Sequence, residues 1–288
     1  MSLSYLSSEA LYAFINAALN EDIGEGDHST VGAIPENTLA KARLLVKEDG
    51  IIAGLELAEM IFRQFDPSLR ISFLKKDGDE IHKGEEAFVV QGSARSILST
   101  ERLVLNCMQR MSGIATYTLR LCKIIEGTKA KVMDTRKTTP NFRMMEKWAV
   151  AIGGGMNHRF ALYDRVMLKD NHVDLAGGIG IAIENVKKYL KQTGKTLMIE
   201  IETRTLAEVE QVLAKEGVDV IMLDNMSPEV MKQAVHLING KYKIEASGGI
   251  TEANLRAVAE CGVDYISVGA LTHSVKSLDL SLKVITTQ

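Results

Sequence analysis

"DVIMLDNMSPEVMKQAVHLINGKYKIEASGG", residues 219–249, holds the unit on which the fold turns. An apolar run at 219–224 ends in Asp, a helical segment follows at 227–240 and closes on Gly, and a second apolar run at 243–249 ends in a glycine turn. The same rhythm extends both ways, with strands expected near 131–134, 162–170, 197–202 and 264–270 and helices at 206–217 and 251–262. Strand and helix alternating at this spacing favour a parallel sheet, and roughly six strands in about 160 residues favour a compact or incomplete α/β barrel over an open sheet. A dinucleotide fold is discounted: no GxGxxG follows the first strand, and "IGGGM" at 152–156 lacks the spacing.

Upstream the pattern differs. Residues 8–20 place Leu11, Phe14, Ile15 and Ala18 on one helical face behind Ser7 or Ser8. From 40 to 98 the runs "ARLLVKEDGIIAG", "LRISFLKKDGDEIHKG" and "EEAFVVQGSA" are short, apolar or alternating, and punctuated by Asp-Gly and Lys-Gly, with "LELAEMIFRQF" a helix among them. That describes a small α+β domain. Ser99 or Thr100 is then expected to cap a helix reaching 127, with a break at Ser112–Gly113 where the domain changes.

Composition narrows the function. The 288 residues carry 34 Lys plus Arg against 37 Asp plus Glu, a formal charge of −3, which argues against general binding to nucleic acid or anionic membrane. No apolar run approaches the ~18 residues that span a bilayer. Cys107, Cys122 and Cys261 are odd in number and set among apolar neighbours, as core thiols in a reducing compartment would be. A cytoplasmic protein is expected, and any positive patch must be local.

Barrel enzymes gather their chemistry where strands end and βα loops begin. Those positions hold Asp134, Arg136 and Lys137; His158 and Arg159 in a loop; Lys169, Asp170, Asn171 and His172; Glu200 and Glu202; Asp224 and Asn225; "SGG" at 247–249; and "VGA" at 268–270 with His273 behind. Between 134 and 172 there are seven Lys or Arg and four Asp or Glu, an excess that suits an anion with more than one carboxylate. Glu200 and Glu202, two apart, point to one side of their strand and could converge with Asp224 on Mg²⁺ carried by a polyphosphate. The two glycine turns suit a phosphate. Single rim cations are usually only solvated, His172 could simply bond the rim, and Glu200 could pair with a helix Lys. No Ser/His/Asp or Cys/His set and no zinc-ligand spacing is present.

Taken together, "DTRKTTP" at 134, "GGGMNHR" at 153, "LKDNH" at 168, "IMLDN" at 221, "EASGGI" at 245 and "VGALTHS" at 268 resemble the quinolinate phosphoribosyltransferases, also called nicotinate-nucleotide pyrophosphorylases (carboxylating). The resemblance continues upstream through "EDIGEGDHST" at 21, "GIIAG" at 50 and "TERLVLNCMQRMSGIAT" at 100. It implies an N-terminal open-faced α/β sandwich, 1–112, joined by a returning segment, 275–288, and an incomplete seven-stranded α/β barrel, 113–274. It also implies a homodimer or dimer-based oligomer with shared active sites, Arg102 reaching a neighbour's. Thr135, Arg136, Lys137, His158, Arg159 and Lys169 would hold quinolinate and part of phosphoribosyl pyrophosphate. Glu202, preferred to Glu200, and Asp224 would face the ribose and the magnesium pyrophosphate, through the pyrophosphate or water. Ser247, Gly248, Gly249, Gly269, Ala270, Leu271 and His273 would hold the 5-phosphate, with Lys137, Lys169, Glu202 and Asp224 nearest the chemistry. Asn141, where Gly is common, and His28, where an apolar residue is usual, depart from the family pattern outside these positions.

The reaction implied moves ribose 5-phosphate to the quinolinate nitrogen, with loss of CO₂, giving nicotinate mononucleotide. Two other readings are kept. Lys169 could form a Schiff base as in aldolases, which borohydride trapping would reveal. A paralogue of the fold could serve as a molybdate-transport accessory, against which the intact "TRK", "NHR" and "KDNH" strings count.

Overall fold

The structure is a computed structural model and describes residues 3–285; the first two and last three positions of the expected sandwich segments lie outside it. The first half of the chain runs α1 (Ser8–Ile23), α2 (His28–Ala33), β1 (Leu39–Val46), β2 (Gly50–Ile51), α3 (Leu55–Phe65), β3 (Arg70–Phe73), β4 (Glu80–Ile81), β5 (Glu86–Ser93) and α4 (Ala94–Ile124). The second runs β6 (Lys131–Met133), α5 (Arg143–Ile152), β7 (Val166–Leu168), α6 (Asp170–Ala176), α7 (Ile179–Thr193), β8 (Ile199–Thr203), α8 (Leu206–Lys215) and β9 (Val220–Asp224). It ends with α9 (Pro228–Ile238), β10 (Lys243–Ser247), α10 (Glu252–Ala259), β11 (Tyr265–Ser267), α11 (Ala270–His273) and β12 (Leu280–Val284). Two compact units result: one of residues 1–119, 138–154 and 271–288, the other of 120–137 and 155–270.

The first unit is built on a four-stranded sheet, ordered β12-β1-β5-β3, all neighbours antiparallel. Strand β12 comes from the returning C-terminal segment and pairs Leu282 with Leu44 of β1. The alternation of β1 buries Ala42, Leu44 and Val46 on one face. Phe62 of α3 meets Phe88 of β5 edge-on, ring centres 5.9 Å apart, both fully buried.

Helix α4 departs from the sequence reading. It begins at Ala94 and is one continuous helix through Ser112–Gly113. Thr100 is no cap; its hydroxyl donates to the carbonyl of Ser96 one turn back. Ser112 and Gly113 are there for packing. The Ser112 hydroxyl accepts the Ala53 N–H at 2.9 Å and donates to the Ala53 carbonyl at 3.2 Å, and a Cβ on Gly113 would lie 2.3 Å from the carbonyl oxygen of Lys276. Tertiary partners thus override two residues of low helix propensity.

The second unit is a parallel sheet of six strands, ordered β6-β11-β10-β9-β8-β7. Beyond β6 a seventh strand is reduced to a single parallel bridge, Met133 to Met156. The family resemblance implied seven strands; the loop carrying "GGGMNHR" joins the ladder through Met156 alone. Among the described residues β6 and β7 remain edges, so the barrel is incomplete. One face of β8 to β10 is apolar, with Ile201, Ile221, Leu223, Ile244 and Ala246 in register and all buried.

A short unit recurs before two of the strands. Gly217–Val218–Asp219 precedes β9 and Gly262–Val263–Asp264 precedes β11. Each Asp accepts an N–H at the start of the neighbouring strand: Asp219 from Ile199, the first residue of β8, at 2.7 Å and Asp264 from Ile244, the second of β10, at 3.0 Å. These carboxylates replace ladder partners at the amino ends of the strands, leaving the carboxyl ends free for function. No described helix is long and apolar enough to cross a membrane.

Candidate active site

Register places the polar residues on one face. Glu202 and Glu245 both pair with Met222, Ser247 pairs with Asp224, and Tyr265 pairs with Glu245. In-register neighbours, and residues two along the same strand, point the same way. Glu200, Glu202, Asp224, Glu245, Ser247 and Ser267 therefore share a face, at two depths.

At the upper level, Glu202 is half-buried and its Oε2 lies 3.6 Å from Lys169 Nζ. Burial raises the Glu202 pKa; Lys169 opposes this, while Asp224 and Asp170 push it further up. Three carboxylates gathered beside one ammonium form a place that would welcome a divalent cation bridged to phosphate oxygens. Lys169 is half exposed and ion-paired. It lacks the dry surroundings that make an amine a Schiff-base nucleophile, so the aldolase reading finds no support here.

On the cationic side, "DTRK" follows β6. Asp134 is fully buried and organises the "NHR" loop, its two oxygens accepting the His158 N–H at 2.9 Å and the Asn157 side-chain amide at 2.6 Å. The Lys137 N–H donates to the Thr135 hydroxyl, and Lys137 itself is exposed. Arg159 is largely buried, its Nη1 donating to the Arg165 carbonyl at 3.2 Å. Burial, and then the neighbouring Arg136 guanidinium, lower the Arg159 pKa. The two arginines, from different loops, are near enough to repel, and an anion would relieve this.

The lower level was not foreseen. Glu200 points inward, fully buried, with Oε2 3.1 Å from His158 Nε2 and 3.3 Å from Arg165 Nη1. Glu245 Oε2 lies 3.4 Å from the same Nε2, and its Oε1 accepts from the Ser267 hydroxyl. The alternative partner expected for Glu200, a helix lysine, is replaced by this set. Burial, helped by the charge of Glu200 and opposed by His158 and Ser267, pushes the Glu245 pKa up, to about 6. For Glu200 burial acts upward too, but the hydrogen bond from His158 and the charge of Arg165 outweigh it, and its pKa falls. For His158 burial acts downward, and the two carboxylates more than reverse it, taking the ring to about 9. A doubly protonated ring conflicts with one contact: the Arg159 N–H points at Nδ1 from 2.7 Å. That amide hydrogen would collide with a proton on Nδ1. The ring therefore carries its proton on Nε2, which faces the two carboxylates.

The turns expected to hold the 5-phosphate follow β10 and β11. Gly248 and Gly249 have φ of +86° and +62°, and Gly269 precedes α11 while Ala270 opens it, the last two residues of this unit. Leu271 is buried completely, so only its backbone could face a ligand, and His273 is exposed with Nδ1 2.6 Å from the Ser274 hydroxyl. Both belong to the first unit, as does Arg102, exposed on α4. His172 proves to be a cap: its Nδ1 accepts the Lys169 N–H at 3.0 Å. Lys147, counted within the local positive excess, is instead wholly buried on α5 of the first unit, and Glu146 beside it pairs with Arg110 at 2.8 Å. Glu245 and Ser267 gave no sequence signal beyond a polar residue inside an apolar strand.

Cationic and acidic side chains gathered on the carboxyl ends of parallel strands define an α/β-barrel enzyme. The family model "Quinolinate phosphoribosyl transferase, C-terminal domain" matches residues 114–283, and that of the N-terminal domain matches 27–112. The chain belongs to the quinolinate phosphoribosyltransferase family. It is 48% identical to "Quinolinate phosphoribosyltransferase [decarboxylating] 2a, mitochondrial" of Nicotiana tabacum, covering 95% of this chain and 82% of the relative. With the "Probable nicotinate-nucleotide pyrophosphorylase [carboxylating]" of Bacillus subtilis it shares 43% identity over 95% and 93% of the two lengths. The crystal structure of NadC from Streptococcus pyogenes superposes with a TM-score of 0.92 at 41% identity, covering 98% and 99% of the chains.

Proposed function

We propose that this protein transfers ribose 5-phosphate from phosphoribosyl pyrophosphate to the ring nitrogen of quinolinate and releases CO₂, giving nicotinate mononucleotide and pyrophosphate for NAD synthesis. The observation that carries the reading is the placing of Arg136 and the largely buried Arg159 in the same unit as Glu202, 3.6 Å from Lys169, with Asp224 at the end of the next strand. A dicarboxylate suits the arginines and a metal-bound pyrophosphate the two acids.

In the first step the pyridine nitrogen forms a bond to C1 of the ribose as the bond to pyrophosphate oxygen breaks. The protein needs no nucleophile for this; positioning and charge suffice. Arg136, Lys137, Arg159 and Lys169 fix the carboxylates, and Glu202 and Asp224 face the positive charge that develops on the ribose. Mg²⁺ arriving with the pyrophosphate would be held by Glu202 and Asp224, directly or through water, and would supply charge neutralisation to the leaving group. In the second step the bond from C2 to its carboxylate breaks, the electron pair passes toward the quaternised nitrogen, and a proton replaces CO₂ at C2. The glycine turns at 248–249 and 269 bring backbone N–H groups to the 5-phosphate.

The reading extends to the assembly and the compartment. We infer a homodimer in which Arg102 serves the neighbouring subunit's site; mixing inactive Arg102→Ala and Lys137→Ala subunits should restore activity. A cytoplasmic setting is supported by three free cysteines, of which Cys107 has its thiol pushed up to about 12 by burial and is inert.

The pure protein with quinolinate, phosphoribosyl pyrophosphate and Mg²⁺ should release CO₂ and mononucleotide; absence of both sinks the reading. Nicotinate, which lacks the 2-carboxylate, should be turned over far more slowly, because cations placed for that group would go unpaired.

A further inference from the structure

The buried set beneath the cationic loop has no part in the reaction as written, and its geometry bears on how the loop works. His158 is 7% exposed and both ring nitrogens already face protein. Nδ1 accepts the Arg159 N–H at 2.7 Å, while Nε2 lies 3.1 Å from Glu200 and 3.4 Å from Glu245. The backbone of His158 is pinned by Asp134 at 2.9 Å. A ring whose Nδ1 accepts an amide and whose Nε2 already faces two carboxylates is a poor direct ligand for a substrate carboxylate. It is, however, well placed to fix the amide, and hence the guanidinium, of the arginine that follows it.

We propose that His158 serves quinolinate through Arg159 rather than by touching it, and that Glu245, held by Ser267, is the positioning residue that makes this possible. By accepting the proton on Nε2, Glu245 and Glu200 keep Nδ1 bare for the Arg159 amide. Were the ring to take the other tautomer, Nδ1–H would oppose that amide and the arginine would shift. Of the two carboxylates, Glu200 is shared with Arg165 at 3.3 Å, whereas Glu245 has the Ser267 hydroxyl to fix it from the far side. The ligand atoms of His158, Glu200 and Glu245 also lie within 4.8 Å of one another, a spacing open to a metal ion. Arg165 already brings positive charge to the Glu200 oxygen, which favours the hydrogen-bonded network. This proposal rests on the functional reading above for the identity of the substrate.

Two measurements test it. In the protein labelled with ¹⁵N-histidine, the ring signals of His158, assigned by their loss in His158→Gln, should show a bare Nδ1 and a protonated Nε2, unchanged on adding quinolinate. A protonated Nδ1, a tautomer that switches with quinolinate, or a stoichiometric metal ion in the purified protein would overturn the proposal. In kinetics, Glu245→Leu should raise the KM for quinolinate about tenfold or more while that for phosphoribosyl pyrophosphate stays within about twofold. Glu245→Gln, whose carbonyl can still accept from Nε2–H, should bring the quinolinate KM back to within about threefold of the unmodified value. Variants equal to the unmodified protein, or both KM values rising together, would count against it. If Glu245→Leu does not fold, the tautomer measurement decides alone. The unmodified protein is the control: if it fails to turn over quinolinate the functional reading falls, and if it succeeds while the variants match it only this proposal falls.

Discussion

Asn225 takes a left-handed backbone conformation, φ +52°, and donates its side-chain amide to Asp224 Oδ2 at 2.6 Å. Its own N–H donates to the Ser247 carbonyl at 2.9 Å. One residue thus ties the carboxylate at the end of β9 to the glycine turn at the end of β10, so the parts of the site proposed to face metal and phosphate share a common strut. Asn suits the place because it tolerates positive φ and offers a donor.

Gly248→Ala should damage that strut. A Cβ there would lie 2.4 Å from Asn225 Oδ1, and φ is +86°. The backbone penalty alone is about 1 kcal/mol. The displaced Asn225 would in turn release Asp224. Steady-state kinetics should show a higher KM for phosphoribosyl pyrophosphate together with a lower kcat, and a wild-type profile would show that the turn does not hold phosphate.

Gly113→Ala tests why α4 runs unbroken. Helix propensity alone predicts that Ala stabilises this position by about 1 kcal/mol. The Lys276 carbonyl 2.3 Å from the added Cβ predicts the opposite, a loss of about 1–3 kcal/mol by overpacking. Chemical denaturation gives the sign directly.

These two glycines also show what the sequence could and could not reveal. The parallel sheet was legible because β8 to β11 are apolar runs ending in polar residues, with amphipathic helices between them, a pattern set by burial on both faces. The candidate site residues were legible for the same reason: a charge at the end of an apolar run has few places to be except the rim. Ser112–Gly113 misled because a close backbone approach and a break have the same local signature. Glu245 stayed hidden because its partners, His158 and Ser267, come from other loops and strands, and only register brings them together. The "GVD" unit before β9 and β11 was too short to stand out as a repeat, though its two carboxylates do the same work.

Asp264 offers a pH test away from the site. Burial would raise its pKa, but the ammonium of Lys243 at 3.0 Å and the N–H of Ile244 outweigh this and hold it below the usual value of 3.8. A depressed carboxylate contributes stability above its unfolded pKa and loses it as pH falls through the folded one. Asp264→Asn should therefore cost about 1 kcal/mol at pH 7. The gap to the unmodified protein should narrow below pH 3.8 and not above it. Urea melts at pH 7 and pH 3 check the sign.

The two glutamates of β8 give the sharpest separation of roles. They are two residues apart on one face, so strand periodicity did not separate them and only the family resemblance preferred Glu202, yet their surroundings differ. Glu200 is fully buried against His158 and Arg165, and Glu202 stands at the mouth beside Lys169. Glu200→Gln removes the charge that balances a mostly buried guanidinium, and should lower stability by about 2 kcal/mol. Glu202→Gln relieves repulsion among Glu202, Asp224 and Asp170, so its folding stability should hold or rise slightly. Its turnover should fall by about 10²-fold, the scale for losing one preorganised electrostatic partner, and the Mg²⁺ concentration for half-maximal rate should increase. Thermal melts and Mg²⁺ titrations on both variants decide the matter. If Glu200→Gln alters the Mg²⁺ requirement and Glu202→Gln does not, the metal-facing carboxylate lies at the deeper level and the two assignments must be exchanged.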